Sequence, residues 1–419
     1  MKIVIIGGGF AGVNLAKALL DKKDIQVTLV DKNNYNFFAP LIYQVATAFL
    51  EPTSISYPYR KLFAGKKNLE FRLGEFQSVN TSTNTITLSN GVVEYDKLVF
   101  ATGAETSYFG MENVRKNAIP MKTLNDALEM RNRILKNLEI AAITKNIRKR
   151  RKLLTIVVVG GGPTGVELSG MFAEMRKSML IKEYPELDTA ASNIYLVDGG
   201  SELLSPMSEA SQKDTLQALT GMGVIVKLNN RVVDYVDDTV FFEDGTTIKT
   251  KNLIWAAGVT ARIYEGLPIE SFGRGKRMIT DEFGLVQNTK NVYAIGDTSY
   301  TSTDLKFIEG HPQVAQVAIQ QGLNLAKNFQ SMLNKNTLRP FVYNDKGSMA
   351  IIGRNKAVVD LPSPKLHFNG FFAWAIWLFV HLISLITYRN RVTTFFNWMI
   401  AYFSRDQSLR MIIRPDKKC

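Results

Sequence analysis

Hydrophobic residues in this chain gather into short unbroken runs that end on glycine. Ile3-Val4-Ile5-Ile6 leads into Gly7-Gly8-Gly9-Phe10-Ala11-Gly12, and Ile156-Val157-Val158-Val159 leads into Gly160-Gly161-Gly162-Pro163-Thr164-Gly165. A continuous apolar run of this length, without polar alternation, predicts a strand buried on both faces, as in a parallel sheet covered by helices. Each glycine cluster fits G-x-G-x-x-G between such a strand and a helix. There the first glycine permits a tight turn and the second lets the backbone approach a pyrophosphate. The third lets the helix pack closely, with its N-terminal amides facing the anion. One match is a weak signal. Two, both in strand-to-helix context, predict two dinucleotides bound at once, and the pair useful for redox chemistry is a flavin and a nicotinamide.

The pattern around the two fingerprints repeats. Gln26-Val27-Thr28-Leu29-Val30-Asp31 is echoed by Asn193-Ile194-Tyr195-Leu196-Val197-Asp198, which arrives later because of an insertion around residues 181–192. Leu98-Val99-Phe100-Ala101-Thr102-Gly103 is echoed by Leu253-Ile254-Trp255-Ala256-Ala257-Gly258. Alternating strand and helix patterns around these landmarks predict an α/β fold with two Rossmann-like dinucleotide-binding domains. The second unit reads as an insertion in the first, because Asn291-Val292-Tyr293-Ala294-Ile295-Gly296-Asp297 has no counterpart in the inner copy. The expected boundaries are 1–120 with 288–345 for the first domain, 151–287 for the second, and 346–419 for C-terminal strands and helices. Pro312 is expected to open a helix that runs through Gln316, Gln320 and Gln321 towards Gln330. Further strands are expected at Ser348-Met349-Ala350-Ile351-Ile352-Gly353 and Ala357-Val358-Val359-Asp360.

The tail has a different pattern. Residues 371–386 are apolar apart from His381, and as a helix they would span about 24 Å, short of the roughly 30 Å of a bilayer core. Val392, Phe395, Phe396, Met399, Ile400 and Phe403 then fall on one stripe of an amphipathic helix. Such a pair could pack on the protein's own core or on a second copy of the chain, or cross the membrane once. The expected arrangement is a pair lying in the membrane interface. Six apolar side chains at roughly 1.5–3 kcal/mol each would hold it more strongly than basic residues at about 1 kcal/mol each.

Composition narrows the chemistry. Apolar content of 46% and charged content of 21% are those of an ordinary folded protein. The four apolar residues before the first glycines are too few for a signal peptide, so the N-terminus reads as the first strand. Cys419 is the only cysteine, which excludes disulfide scaffolds, thiolate metal sites and redox-active dithiols; no metal site is expected. The net charge of +13 could suggest nucleic acid. From Lys365 onward, however, Lys365, Arg389, Arg391, Arg405, Arg410, Arg414, Lys417 and Lys418 face only Asp406 and Asp416, in the most aromatic part of the chain. That combination suits an anionic membrane surface and no nucleic acid is expected. A second basic run, Arg148-Lys149-Arg150-Arg151-Lys152, reads as a solvated helix end, with membrane contact or attraction of an anionic nucleotide left open.

The double fingerprint, Ala101-Thr102-Gly103, Gly296-Asp297 and the missing dithiol resemble the two-dinucleotide-binding-domain flavoproteins. More narrowly, the chain resembles the type II NADH:quinone oxidoreductases, the single-subunit, non-proton-pumping alternative NADH dehydrogenases. Three segments carry that likeness: residues 31–46 (DKNNYNFFAPLIYQVA), which resemble the stretch under the flavin; 165–170 (GVELSG), the nicotinamide helix; and 315–322 (AQVAIQQG), the quinone-side helix. With the amphipathic tail, the resemblance covers essentially the whole chain.

For non-covalently bound FAD, the resemblance implies Gly7, Gly9, Phe10, Ala11, Gly12, Asp31, Lys32, Gln44, Ala101, Thr102, Gly103, Gly296, Asp297, Ala315 and Gln316. Asp31, ending its strand, suits the adenosine ribose hydroxyls. For NADH it implies Gly160, Gly162, Pro163, Thr164, Gly165, Glu167, Asp198, Ala257 and Gly258. A carboxylate at Asp198 would repel a 2′-phosphate and so favour NADH over NADPH. Glu167 either stabilises its helix dipole or positions the nicotinamide. Gln316 and Gln320 lie on one helix face, as surface glutamines or flanking a quinone headgroup, and Lys346 is placed nearby. The implied acceptor is menaquinone or ubiquinone. The implied location is peripheral (monotopic), on the cytoplasmic face of a bacterial inner membrane, with a homodimer left open. Two rivals remain: a soluble NADH-dependent ferredoxin or rubredoxin reductase, and an FAD- and NADH-holding redox sensor.

Overall fold

The computed structural model describes residues 1–187, 192–404 and 409–413. Cys419, and the tail charges Arg405, Asp406, Arg414, Asp416, Lys417 and Lys418, lie outside the described residues.

One compact unit comprises Met1–Phe37, Ser56–Glu105 and Val259–Asp345. Its five-stranded sheet runs in the order Val292–Ala294, Lys97–Phe100, Lys2–Ile6, Gln26–Asp31, Leu69–Leu73, and every pairing is parallel. The first fingerprint strand is central: Ile5 pairs with Leu29 on one side and Val99 on the other. With neighbours on both edges and layers on both faces, its unbroken apolar run is buried, as the absence of alternation requires. A three-stranded antiparallel meander, Phe76–Asn80, Thr85–Leu88 and Gly91–Glu94, joins the core through Phe76, whose ring meets Phe100 edge-on at 5.1 Å.

The second unit comprises Phe38–Ile55, Thr106–Gly258 and Lys346–Cys419. Its parallel sheet has the order Ile119–Pro120, Asn252–Trp255, Ile156–Val159, Ile194–Val197, Ile225–Lys227, again with the fingerprint strand in the middle. The edge position held in the first unit by Val292–Ala294 is therefore filled here too. The sequence repeat conceals this counterpart, because the strand is two residues long and precedes the fingerprint. Residues 38–55, 106–120 and 259–287 fall in the opposite compact unit from the boundaries expected above.

Within the second unit an antiparallel sheet, Ser348–Gly353, Lys356–Pro362 and Lys365–Asn369, lies against the helix Pro163–Met175. Gly170 makes this approach possible, since a Cβ there would collide with the Ile352 carbonyl. The third strand was not anticipated. The tail follows as helices Gly370–Ser384 and Tyr388–Ser404. Among the described residues no helix is long and apolar enough to cross a membrane.

The second tail helix is inverted relative to an ordinary surface helix. Asn390, Thr394 and Trp398 are buried, while Phe396 is 59%, Ile400 61% and Phe403 73% exposed. The buried face is held by hydrogen bonds. Asn390 Nδ2 donates to the Thr53 and Ser54 carbonyls at 3.0 and 2.9 Å, and Thr394 Oγ1 to Ser54 O at 3.2 Å.

Candidate nucleotide sites and the glutamine helix

The two glycine turns obey the same geometry. Gly7 has φ +100° and a Cβ there would lie 2.5 Å from the Ala101 carbonyl; Gly160 has φ +116° and would lie 2.6 Å from that of Ala256. A Cβ on Gly12 or Gly165 would strike the carbonyl of Gly7 or Gly160, so the third glycine seats the helix on its own turn. Gly9 and Gly162 are different. A Cβ on either would meet none of the described residues within 4 Å, so the middle glycine leaves room at a helix N-terminus, where a pyrophosphate fits. Phe10 and Ala11 begin one helix, Pro163 and Thr164 the other.

The position between first and second glycine, to which sequence assigned no role, is the one each strand-end acid holds. Gly8 N donates to Asp31 Oδ2 at 2.7 Å, and Gly161 N to Asp198 Oδ2 at 2.5 Å. The other oxygens accept from Asn33 N and Gly200 N at 2.7 and 2.6 Å. Each carboxylate has lone pairs left for ribose hydroxyls. Burial pushes the Asp31 carboxyl up, opposed by these amides and by neighbouring Lys32. The Gly8 carbonyl accepts from Asn36 Nδ2 at 2.7 Å and Tyr59 Oη at 2.8 Å; neither partner was foreseen. The Gly161 carbonyl accepts from the Leu204 backbone amide at 2.8 Å, and among the described residues no side chain donates to it.

Ala101 packs beneath Gly7, and beyond it Gly103, at φ +68°, opens on free space. In the Gly296–Thr298 turn, Gly296 N donates to the buried Gln321 Oε1 at 2.6 Å. Gln313 Nε2 donates to the Asp297 carbonyl at 2.9 Å. Residues 311–314 form a loop in which Val314 N donates to the Pro312 carbonyl at 3.0 Å, and the helix starts at Ala315 rather than at Pro312. In the second unit Gly258 has φ +74° and lies against Phe109, and Ala257 precedes it.

Gln320 is a clamp. Its Nε2 donates to Asn344 O at 2.9 Å and its Oε1 accepts from Asn344 N at 3.0 Å. Gln316 Oε1 lies 3.4 Å from the Tyr343 hydroxyl, which is equally far from Asp345 Oδ1. Lys346 is exposed and falls in the other compact unit.

Glu167 sits one turn into the second fingerprint helix, 8% exposed. Burial drives its carboxyl well above the usual range, only partly countered by a hydrogen bond from the Ile351 backbone. Gln44 is buried in the Phe38–Ile55 segment of this unit, donating to Tyr43 Oη at 2.9 Å and accepting from Trp398 Nε1 at 2.8 Å.

Residues 1–322 match the model of the pyridine nucleotide-disulphide oxidoreductase family, and residues 346–406 match the NDH2 C-terminal domain. The type II NADH:quinone oxidoreductase NdhA of Mycobacterium tuberculosis is 37% identical over 96% of this chain and 87% of its own length. Its paralogue Ndh from the same organism is 34% identical over 96% and 88%. In fold, the chain is similar to NDH2 from Plasmodium falciparum (TM-score 0.89, 22% identity, 99% of each chain). It is also similar to the sulfide:quinone oxidoreductase of Aquifex aeolicus (TM-score 0.73, 18% identity, 100% and 98%). The chain thus belongs to the pyridine nucleotide-disulphide oxidoreductase family and, within it, to the type II NADH:quinone oxidoreductases.

Proposed function

We propose that this protein is a single-subunit flavoenzyme that oxidises NADH and reduces a membrane quinone through FAD, without pumping protons. The observation that carries the reading is the pair of acid-anchored glycine turns, each open at its middle glycine, in one chain. The unit with Gly7, Gly9, Gly12 and Asp31 is assigned to FAD, and the unit with Gly160, Gly162, Gly165 and Asp198 to NADH. FAD, when bound, supplies hydride acceptance and two-electron transfer to the quinone. The chain supplies binding and orientation. Asp31 and Asp198 accept ribose hydroxyls, and the helix N-termini at Phe10 and Pro163 face the pyrophosphates. Asp198 disfavours NADPH through repulsion of the extra phosphate. Glu167 positions the nicotinamide, and Gln316 orients the quinone headgroup, menaquinone or ubiquinone.

The inverted tail helix supports membrane-surface attachment. An apolar face turned outward, with Arg389 and Arg391 at its start, is costly in water and favourable in the headgroup region of an anionic bilayer. Monotopic attachment to the cytoplasmic face of a bacterial inner membrane is the matching location. The decisive assay is NADH oxidation by the purified yellow protein, with a short-chain quinone or ferredoxin as acceptor, repeated with NADPH. Faster turnover on ferredoxin would favour the soluble reductase, no turnover the sensor, and equal use of NADPH would remove Asp198 from its role.

A further inference from the structure

Tyr108-Phe109-Gly110-Met111 forms a tight turn in which Met111 N donates to Tyr108 O at 2.9 Å. Both central residues have positive φ, +49° at Phe109 and +82° at Gly110. Glycine, asparagine and aspartate adopt that backbone readily, whereas a bulky side chain there is an outlier under standing strain. Among the described residues Phe109 is the only aromatic one with positive φ. Its ring returns little in packing, because the residue is 68% exposed, more than any other phenylalanine before the tail helices. Neither the turn nor the core calls for a phenyl group here, and strain kept at an exposed side chain points to a ligand.

The turn is fastened beside the second fingerprint. Ser107 N donates to Gly258 O at 3.2 Å, Trp255 Nε1 to Ser107 O at 2.8 Å, and Phe109 N to Ser107 Oγ at 3.4 Å. The Phe109 ring meets Trp255 edge-on at 6.4 Å and covers Gly258, where a Cβ would come within 2.5 Å of it. Trp255 is in register with Val159, and a Cβ on Gly160 would fall within 2.9 Å of both Ala256 O and Ala257 N. The ring thus stands next to the glycine turn, at the carboxyl end of the parallel sheet, where open α/β sheets take their ligands. The fingerprint strand has Ile194–Val197, leading to Asp198, on one side and Asn252–Trp255, leading to Gly258, on the other. A dinucleotide with its adenosine ribose on Asp198 and its pyrophosphate at Gly162 extends its remaining half towards Gly258 and this ring. The first unit has no such cover: a Cβ on Gly103, the counterpart of Gly258, would meet none of the described residues within 4 Å.

We propose that Phe109 is a positioning residue for NADH, its phenyl ring forming the apolar wall against which the nicotinamide-riboside half lies. The proposal rests on the assignment of NADH to the second unit. Reduced nicotinamide is a flat, uncharged ring, and an aromatic neighbour holds such a ring by apolar burial and by edge or offset contact. The hydrogen bonds of Ser107 fix the turn before the nucleotide arrives, so little conformational freedom is lost on binding. The positive φ at Phe109 is what aims the ring at that place.

Phe109→Asn is the direct test, because asparagine suits the turn and removes the ring. In stopped-flow traces of the FAD-loaded enzyme, the NADH concentration that half-saturates flavin reduction should rise about three- to tenfold, the worth of one aromatic contact. The dissociation constant of ADP, which carries the adenosine and pyrophosphate but no nicotinamide riboside, should stay at the wild-type value in titration calorimetry. Reoxidation of the flavin by a short-chain quinone should also hold, and Tm should hold or rise as the strained φ is relieved. Phe109→Tyr, which keeps the ring, should retain wild-type half-saturation, and Phe109→Ala gives the same comparison if the asparagine variant is lost. Unchanged half-saturation by NADH, an equal loss of ADP affinity, or a Tm well below wild type would show a ring kept for packing and overturn the proposal. Wild-type protein that binds neither ADP nor NADH would instead sink the nucleotide assignment on which it stands.

Discussion

Trp398 donates its indole N–H to the side-chain oxygen of Gln44 at 2.8 Å, across 354 positions of sequence. Both side chains are buried, and Gln44 passes its own N–H to Tyr43. The tail is therefore part of the folded interior of its unit as well as a surface device. Replacing Trp398 by Phe strips a buried acceptor of its donor, which costs about 1–3 kcal/mol. Thermal denaturation should show a lower Tm with FAD content retained; an unchanged Tm would mean that water replaces the indole.

Glu167 is pushed towards its neutral form by burial, so Gln is close to it in shape and charge. Glu167→Gln should leave the denaturation midpoint within about 0.5 kcal/mol of wild type and lower kcat for NADH oxidation by roughly tenfold or more. If turnover is untouched, the residue serves only to pack its helix against Ser348–Gly353.

The two glutamines should separate in kinetics. Gln320 spends its amide on both backbone groups of Asn344, and Gln320→Ala should cost about 1–2 kcal/mol of stability. Gln316→Ala should raise the KM for quinone while the rate of flavin reduction by NADH holds. Equal effects of both substitutions on quinone KM would return Gln320 to the headgroup.

Membrane release discriminates between the forces on the tail. Carbonate or high salt screens charge within a few ångströms and should leave the protein bound, whereas mild detergent should free it. Serine at Phe396, Ile400 and Phe403 together should make salt alone sufficient. Quantifying soluble and pelleted protein by immunoblot settles the question; stripping of the wild type by salt would rule the interfacial helix out.

Two histidines give stability opposite responses to pH. His381 stacks on Trp377 at 3.8 Å, and burial pushes it down to about 4. The unfolded chain protonates it near 6.5 and the fold resists until about 4. Stability present above 6.5 is lost as pH falls through that window, by on the order of 3 kcal/mol. His367 lies between Asp214 and Asp360, at 2.9 and 3.0 Å, and their hydrogen bonds and charges outweigh the effect of burial to raise it. Its contribution is complete below about 6.5 and disappears as pH rises through the raised value. Urea denaturation of His381→Leu at pH 7 and 4.5 should show a smaller acid loss than wild type, and an equal loss would show that other groups govern acid sensitivity.

What could be read from sequence follows from how local each feature is. Ile3–Ile6 and the glycines after it announce a buried strand and turn because burial pattern and backbone freedom are written in adjacent residues. The clamp on Gly8 was invisible, since Asn36 and Tyr59 reach it from 28 and 51 positions away. Pro312 suggests a helix start, yet the helix begins three residues later, after a loop in which Val314 N turns back to the Pro312 carbonyl and Gln313 bonds the Asp297 carbonyl. Gln316 and Gln320 share a face and look equivalent; only the loop at Asn344, which takes both groups of the Gln320 amide, separates them. Ile119–Pro120 is too short to carry any periodicity at all.

Around Gly8 two side chains grip the carbonyl, whereas around Gly161, among the described residues, a main-chain amide alone does so. The stiffer turn suits a permanent tenant, the looser one a visitor that must leave after every catalytic round. Slower deuterium uptake at Gly8 than at Gly161 is the signature of that difference, and it makes residence time, rather than chemistry, the property in which these twin nucleotide cradles diverged.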